Sequence, residues 1–112
     1  MGKIYLISAM NKNDVATSDE EIVYKIGVTK QNVEDRIKQL QTGTDKRLDV
    51  VEVFVSDFPY KIETALHNIF KIQKENREWF NLTKEDIESF IPLCKKLDQN
   101  FNLLHSTFNP FI

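Results

Sequence analysis

Residues 21–28, with the sequence EIVYKIGV, form the stretch that decides how this chain folds. The stretch is rich in β-branched and aromatic side chains, so it predicts a β-strand. Gly27 near its end is typical of a point where another part of the chain comes close to the backbone. The segment 3–8, KIYLIS, has the same character. We expect the two segments to pair as a hairpin, with the polar residues 11–21 as the connecting loop.

A helix, a strand and a second helix are predicted after this hairpin. Asn32 is a candidate N-cap, apolar residues follow at helical spacing, and Thr42-Gly43 is a plausible C-terminus. Residues 48–55 predict the third strand, in which Val51, Val53 and Val55 alternate with Glu52 and Phe54 and indicate one buried face. Residues 60–73 carry a broad apolar stripe and predict the second helix.

The C-terminal third predicts one further helix. Residues 75–82 form a short irregular or extended piece, and the Thr83–Asp86 pair resembles a capping box that opens a helix through Leu97. Pro92 should kink or shorten that helix. The tail from Asn100 keeps apolar residues that favour packing on the body or on a partner, with a mobile terminus as the alternative. We therefore expect a single α+β domain over residues 1–112.

Composition narrows the class of protein. The chain has 112 residues, 41% of them hydrophobic and 29% charged, as in a globular domain. The single Cys94 cannot form an internal disulfide, which favours a reducing compartment, and we expect a cytoplasmic protein. The longest apolar runs are far too short to cross a membrane, so no membrane association is expected.

Charge is distributed unevenly. The net charge of −2 argues against binding a polyanion by bulk attraction. Between Tyr24 and Arg47, however, six basic residues face three acidic ones, so any such binding should use this local patch. Lys30 and Lys38 in the patch are the candidate substrate-binding lysines. Taken by themselves, these charges favour the ordinary explanation, a solvated helix face.

Five further side chains are candidates for chemistry: Tyr5, Lys25, Arg36, Glu63 and His67. Glu63 and His67 are one helical turn apart and should point the same way. Each also has an ordinary explanation: a strand aromatic, an exposed strand lysine, an Arg36–Glu63 ion pair and a packed histidine. Trp79 and Phe80 are interpreted as core residues.

The order of the motifs is more informative than any one of them. They are Ile4-Tyr5-Leu6-Ile7, Tyr24-Lys25-Ile26-Gly27-Val28-Thr29, Arg36 to Gly43, Glu63 to Phe70, and Glu78-Trp79-Phe80. With these motifs the sequence resembles the GIY-YIG nuclease superfamily, most closely its small viral and phage-type branch, in which the second motif reads Lys-Ile-Gly. The resemblance covers about residues 3–82.

The resemblance implies a small three-stranded antiparallel sheet flanked by helices, and cleavage of phosphodiester bonds with one divalent metal, Mg²⁺ or Mn²⁺. It implies that Tyr5 is the general base or orients the water, that Arg36 holds the scissile phosphate and that Glu63 binds the metal. Asn81 is the nearest match to an asparagine that supports such sites. Lys25 would supply positive charge beside the tyrosine, and His67 would assist proton transfer or brace Glu63.

Several departures from the pattern leave alternatives open. Lys25 stands in place of the second tyrosine, which this branch tolerates, and the loop between the two motifs is longer than in compact members. Lys3 stands at the glycine position of the first motif, and Leu40 replaces a histidine often found one turn after the arginine. We expect a metal-dependent endonuclease acting on nucleic acid, with DNA favoured over RNA. The first alternative is a catalytically weak or inactive nucleic-acid-binding module of the same fold. The second is a protein-interaction domain whose aromatic tail contacts a second copy, as a homodimer, or a recruiting partner.

Overall fold

Four strands form one antiparallel sheet in the computed structural model, which describes residues 1–11, 22–74 and 79–107. The elements in chain order are β1 (Gly2–Asn11), β2 (Val23–Thr29), α1 (Val33–Gln41), β3 (Lys46–Ser56), α2 (Pro59–Ile69), a 3₁₀ turn (Lys71–Gln73), β4 (Trp79–Phe80) and α3 (Lys84–Thr107). The strand order is β3-β1-β2-β4, so β1 and β2 occupy the middle of the sheet.

The α+β class is confirmed, but the three-stranded sheet is wrong by one strand. Trp79 and Phe80 pair with Lys25 and Tyr24 and form β4, within the piece expected to be irregular or extended. A segment of two residues is too short to show the alternation that predicts a strand. Its pairing depends on the free edge of β2, which is set by the tertiary structure. The hairpin of β1 and β2 is confirmed. The loop expected over residues 11–21 lies, beyond Asn11, outside the described residues.

One face of the sheet packs against α2 and α3. Its buried cluster contains Ile4, Leu6, Ile26, Ile62, Leu66, Phe70, Phe80, Phe90 and Cys94. Successive side chains of a strand point to opposite faces, so alternate residues of β1 contribute here. We call this side the α2/α3 face.

The opposite face of the sheet packs against α1. Tyr5 and Ile7 of β1 are buried with Val33 of α1, and Ile37 and Leu40 pack against them. Because β1 is buried on both faces, its sequence is almost continuously apolar. We call this side the α1 face, and it carries the tyrosine of the first motif.

A register shift in β3 explains a wrong prediction. Leu6 pairs with Glu52 but Ile7 pairs with Val50, so β3 has one extra residue, Val51, opposite β1. Such a β-bulge interrupts the alternation of side chains. Val51 packs against the α2/α3 cluster, whereas Val53 and Val55 pair with Tyr5 and Lys3 and lie on the opposite face, where they are 38% and 50% exposed instead of buried. The three valines therefore do not share one buried face.

Helix α3 is longer than predicted. It continues through Pro92 to Thr107, so the expected shortening at the proline and the end at Leu97 are both wrong. Phe90 and Cys94 on either side of Pro92 are fully buried against the sheet, and this packing offsets the hydrogen bond that proline cannot donate. The predicted capping box is confirmed, since Asp86 Oδ2 accepts from the Thr83 N–H and Thr83 Oγ1 accepts from the Asp86 N–H.

Helix α2 ends earlier than expected, at Ile69, and the 3₁₀ turn takes up the rest of the predicted stretch. The N-cap expected at Asn32 is confirmed, because its Oδ1 accepts from the Glu34 N–H at 2.8 Å. Among the described residues, none of the helices is sufficiently long and apolar to cross a membrane.

Because of Cys94, the free energy of unfolding should fall as the pH becomes alkaline. Burial, with the nearby Asp98 and Glu52 carboxylates, raises the pKa of its thiol from 9.0 to about 12. The unfolded chain ionises this thiol above 9.0 while the folded chain keeps it neutral, so its contribution is complete below 9.0 and is lost as pH rises toward 12. We expect the difference in unfolding free energy between the parent and Cys94→Ala, measured in urea, to shrink as pH rises above 9.0. A difference independent of pH would contradict this.

Candidate active site

The ring of Tyr5 lies across the backbone of β2 at Gly27. The two residues pair directly in the sheet, and Tyr5 is only 1% exposed. A Cβ atom at position 27 would lie 2.5 Å from Tyr5 Cζ and 3.0 Å from Cε1, and would also collide with the hydroxyl oxygen. Gly27 has an ordinary negative φ, so the glycine is required by this close approach and not by its backbone conformation.

His67 of α2 reaches the same part of β2 from the α2/α3 face. Its Nε2 lies 2.9 Å from the carbonyl oxygen of Ile26. A carbonyl only accepts hydrogen bonds, so Nε2 carries the proton in this contact. The ring also packs edge-on against Phe80, with centroids 5.1 Å apart. The His67 contact therefore occupies the edge of β2 just beyond its pairing with β4.

Glu63 is half-buried and lies one helical turn before His67 on α2. Residues four apart share one side of a helix, so Glu63 lies on the side of α2 that contacts β2. Tyr5 reaches Gly27 from the α1 face, and His67 reaches Ile26 from the other face. The structure thus brings the first motif, the second motif and α2 together around Ile26 and Gly27.

Lys25 is also on the α1 face, because it pairs directly with Ile7. It is diagonal to Tyr5, a position that long side chains can span. Its Nζ lies 5.8 Å from the centroid of the Trp79 ring, within the range of a cation–π contact.

An open cleft adjoins Lys25 and Trp79. Its volume is about 380 Å³. Each of the four strands contributes one residue to the lining, and α1 and the turn after it contribute the rest. The lining residues are Ile7, Lys25, Gln39, Leu40, Gly43, Thr44, Leu48 and Trp79. We call this the Trp79 cleft. It lies on the same face of the sheet as Tyr5.

Arg36 is positioned beside this cleft by Gln39. Its guanidinium NH1 donates to Gln39 Oε1 at 3.3 Å, and Gln31 Nε2 donates to the same oxygen at 3.3 Å. Arg36 is half-buried on α1, one turn before Leu40, which packs on the sheet. A guanidinium in this position offers further N–H donors to an anion.

Three predicted site residues lie outside this group. Lys30, Lys38 and Asn81 are exposed. Lys38 is two residues from Arg36 and therefore projects from a different side of α1. The Asn81 N–H donates to the Gln73 carbonyl at 2.8 Å, which ties the end of β4 to the 3₁₀ turn. No contact among the described residues joins these three side chains to Tyr5.

Gln39 and Trp79 were not predicted as site residues. Phe80 is a core residue as expected, and Trp79 is half-buried, packs against the buried cluster of Ala9, Val23 and Leu48, and also lines the cleft. Adjacent residues of a strand point to opposite faces of the sheet. A prediction of Trp79-Phe80 as a strand would therefore have placed only one of the two side chains in the α2/α3 cluster. No pattern in the sequence marks Gln39 as a site residue, because its contacts with Arg36 and with the cleft form only in the folded protein.

The side chains of the described residues that could bind a metal suit Mg²⁺ better than Zn²⁺. They contain no cluster of three His, Cys, Asp or Glu side chains that could hold an ion. Zinc sites need such clusters, whereas Mg²⁺ keeps several waters and binds through one or two carboxylates plus substrate phosphate oxygens. The single carboxylate of Glu63 on α2 is a donor of the second kind.

The contact between Tyr5 and Gly27 predicts non-additive effects on stability. Gly27→Ala should cost about 1–3 kcal/mol of unfolding free energy, as overpacking does. In a Tyr5→Leu background, where no ring crosses position 27, the same change should cost less than about 0.5 kcal/mol. Urea denaturation of the four proteins measures the coupling. Gly43→Ala is the control and should be nearly neutral, since its Cβ would meet only Leu40 O at 3.7 Å. Additive costs would show that the ring does not occupy this space.

Comparison with known proteins assigns the family. The T5orf172 domain matches residues 2–95, which include the hairpin, both shorter helices and the first half of α3. No curated protein and no solved structure gives a significant match. The matched range holds every residue of the candidate site described above. The chain belongs to the T5orf172 domain family, a phage-associated domain of the endonuclease type.

Proposed function

We propose that this protein is a divalent-metal-dependent endonuclease that hydrolyses phosphodiester bonds in DNA through a GIY-YIG-like site. The observation that carries the proposal is the convergence on β2: Tyr5 crosses Gly27 from one face, and His67 contacts Ile26 from the other. The endonuclease type of the domain family supports the same reaction class.

Arg36 is the proposed phosphate ligand. Cleavage of a phosphodiester places extra negative charge on the phosphate oxygens, and a planar guanidinium stabilises it with two parallel, charge-assisted hydrogen bonds. The bond to Gln39 fixes the orientation of the guanidinium before substrate arrives. Lys25, on the same face of the sheet, adds a second positive charge near the phosphate.

Tyr5 is the proposed partner of the attacking water. The packing of its ring against Gly27 fixes the position of its hydroxyl oxygen, which then holds the water and accepts its proton as attack proceeds. Lys25, diagonal to Tyr5 across the two strands, stabilises the negative charge that this proton transfer leaves on the tyrosine oxygen.

Glu63 is the proposed holder of the metal. A bound Mg²⁺ or Mn²⁺ supplies Lewis-acid stabilisation of the phosphate and leaving oxygens. His67 has its Nε2 occupied by the Ile26 carbonyl, which favours a positioning role that fixes α2, and with it Glu63, against β2. The catalytic role predicted for His67 stays a prediction.

A plasmid-nicking assay tests the proposal directly. With Mg²⁺ or Mn²⁺ present, the parent protein should nick supercoiled plasmid. Glu63→Gln should lose nicking, and Tyr5→Phe, which removes only the hydroxyl, should slow it about 10²–10⁴-fold, the usual range for a proton-transfer group. The matched control is Glu88→Gln, an exposed carboxylate on α3, which should nick at the parental rate.

Circular dichroism should show that all four proteins are folded. Equal nicking by Glu63→Gln and the parent would exclude the metal role of Glu63. Absence of nicking by the folded parent with either metal, on supercoiled, relaxed and single-stranded DNA and on RNA, would exclude the endonuclease.

A non-catalytic nucleic-acid-binding module is the second candidate, favoured by one observation. Tyr5 is 1% exposed, so its hydroxyl has little direct access to solvent. This candidate predicts binding without cleavage, with affinity that falls as salt rises because phosphate contacts release counterions. In EDTA, Arg36→Ala should reduce the slope of log Kd against log salt by about 1, while Lys61→Ala on α2 leaves it unchanged. A slope near zero for the parent would exclude electrostatic binding.

A further inference from the structure

We propose that the Trp79 cleft receives the base of one unpaired nucleotide, so that the preferred substrate is DNA with an unstacked base next to the cleavage site. The inference rests on the proposed function and adds the class of DNA to it. A base inside a continuous duplex would have to leave the stack to enter this cleft, and an unpaired base does so at the lowest cost.

The lining of the cleft matches the chemistry of a base. Ile7, Leu40 and Leu48 make an apolar wall, and the indole of Trp79 forms an aromatic one. A base likewise has apolar faces and a polar edge. The volume of about 380 Å³ is within the range of sites that hold small organic molecules, which begins near 300 Å³.

Trp79 is held in place for stacking. Its backbone pairs with Lys25 in the sheet, so the indole stands on a β-strand and not on a loop. Phe80, the next residue, is fully buried on the opposite face and anchors β4. The Lys25 ammonium lies over the indole, 5.8 Å from its centroid. A base that stacks on the ring would take its place, and the long lysine side chain would then contact the phosphate of the same nucleotide. Stacking on an aromatic side chain is tolerant of base identity.

Gln39 connects the cleft to the proposed phosphate ligand. Both hydrogen bonds of its side chain within the described residues are accepted by Oε1, from Arg36 and from Gln31. The amide nitrogen is therefore available to donate to an acceptor on the edge of a base in the cleft. One nucleotide can place its base beside Gln39 and its phosphate on Arg36.

The cleft is also close to Tyr5. Ile7, which lines it, is two residues from Tyr5 on the same face of β1. At the rise of a β-strand, two residues span about 7 Å. The cleft would therefore hold a base adjacent to the bond that the proposed site cleaves, and not one several nucleotides away.

Trp79 is the only tryptophan of the chain, so its fluorescence reports on the cleft alone. The experiment uses Glu63→Gln protein in EDTA, where no cleavage occurs, and two labelled duplexes of the same sequence, one with a single central unpaired thymine and one fully paired. We expect the bulged duplex to quench the fluorescence saturably, and the paired duplex to bind with little quenching.

A second variant gives the energetic test. Trp79→Leu in the same background should weaken binding of the bulged duplex about 5- to 150-fold, the value of one stacked base, measured by anisotropy. It should leave binding of the paired duplex unchanged. Tyr60→Leu is the control, because Tyr60 is an exposed aromatic residue of α2 and is not part of the cleft.

The outcomes separate the two proposals. Binding of the bulged duplex without quenching overturns the base pocket, as does equal affinity of Trp79→Leu and its parent. If Trp79→Leu does not fold, the quenching measurement decides alone. Cleavage of both duplexes by the unmutated protein with Mg²⁺, without quenching, overturns only the base pocket. Quenching without cleavage overturns only the endonuclease.

Discussion

The contact between the Tyr5 ring and Gly27 is the constraint on which the candidate site depends. A side chain larger than hydrogen at position 27 would occupy the space of the ring. With the ring in that space, Tyr5 is buried on the central strand of the sheet and its hydroxyl lies over β2. The first and second motifs are therefore one structural unit, in which the tyrosine needs the glycine and the hairpin register fixes both.

The candidate site consists of two groups of residues, one on each face of the sheet. The α1 face supplies Tyr5, Lys25 and Arg36, which handle the proposed water and phosphate. The α2/α3 face supplies Glu63 and His67. The two groups meet at Ile26 and Gly27, which follow the two described pairs of β2 with β4, at Tyr24 and Lys25. The short pairing of β4 with β2 thus leaves the Ile26 carbonyl to His67, one helical turn from Glu63.

Local signals in the sequence predicted most elements of the fold, and tertiary contacts account for what they missed. The hairpin, α1 and the capping box of α3 follow from strand composition and from caps that act within a few residues. The bulge at Val51, the fourth strand and the passage of α3 through Pro92 depend on neighbours distant in the sequence. The resemblance supplied Tyr5, Arg36 and Glu63 as candidates. Only the folded arrangement could show Gln39 beside Arg36 and Trp79 beside Lys25.

The bulge in β3 also affects how the protein behaves toward copies of itself. β3 is an edge strand of eleven residues, and Val50, Val53 and Val55 are exposed along it. A flat edge of this length and composition would offer its free backbone groups to any other extended chain. The extra residue at Val51 increases the local twist, and Asp49 and Glu52 place negative charge on either side of it. The bulge that interrupts the side-chain alternation of β3 thus also makes this edge of the sheet a poorer template for pairing with another strand.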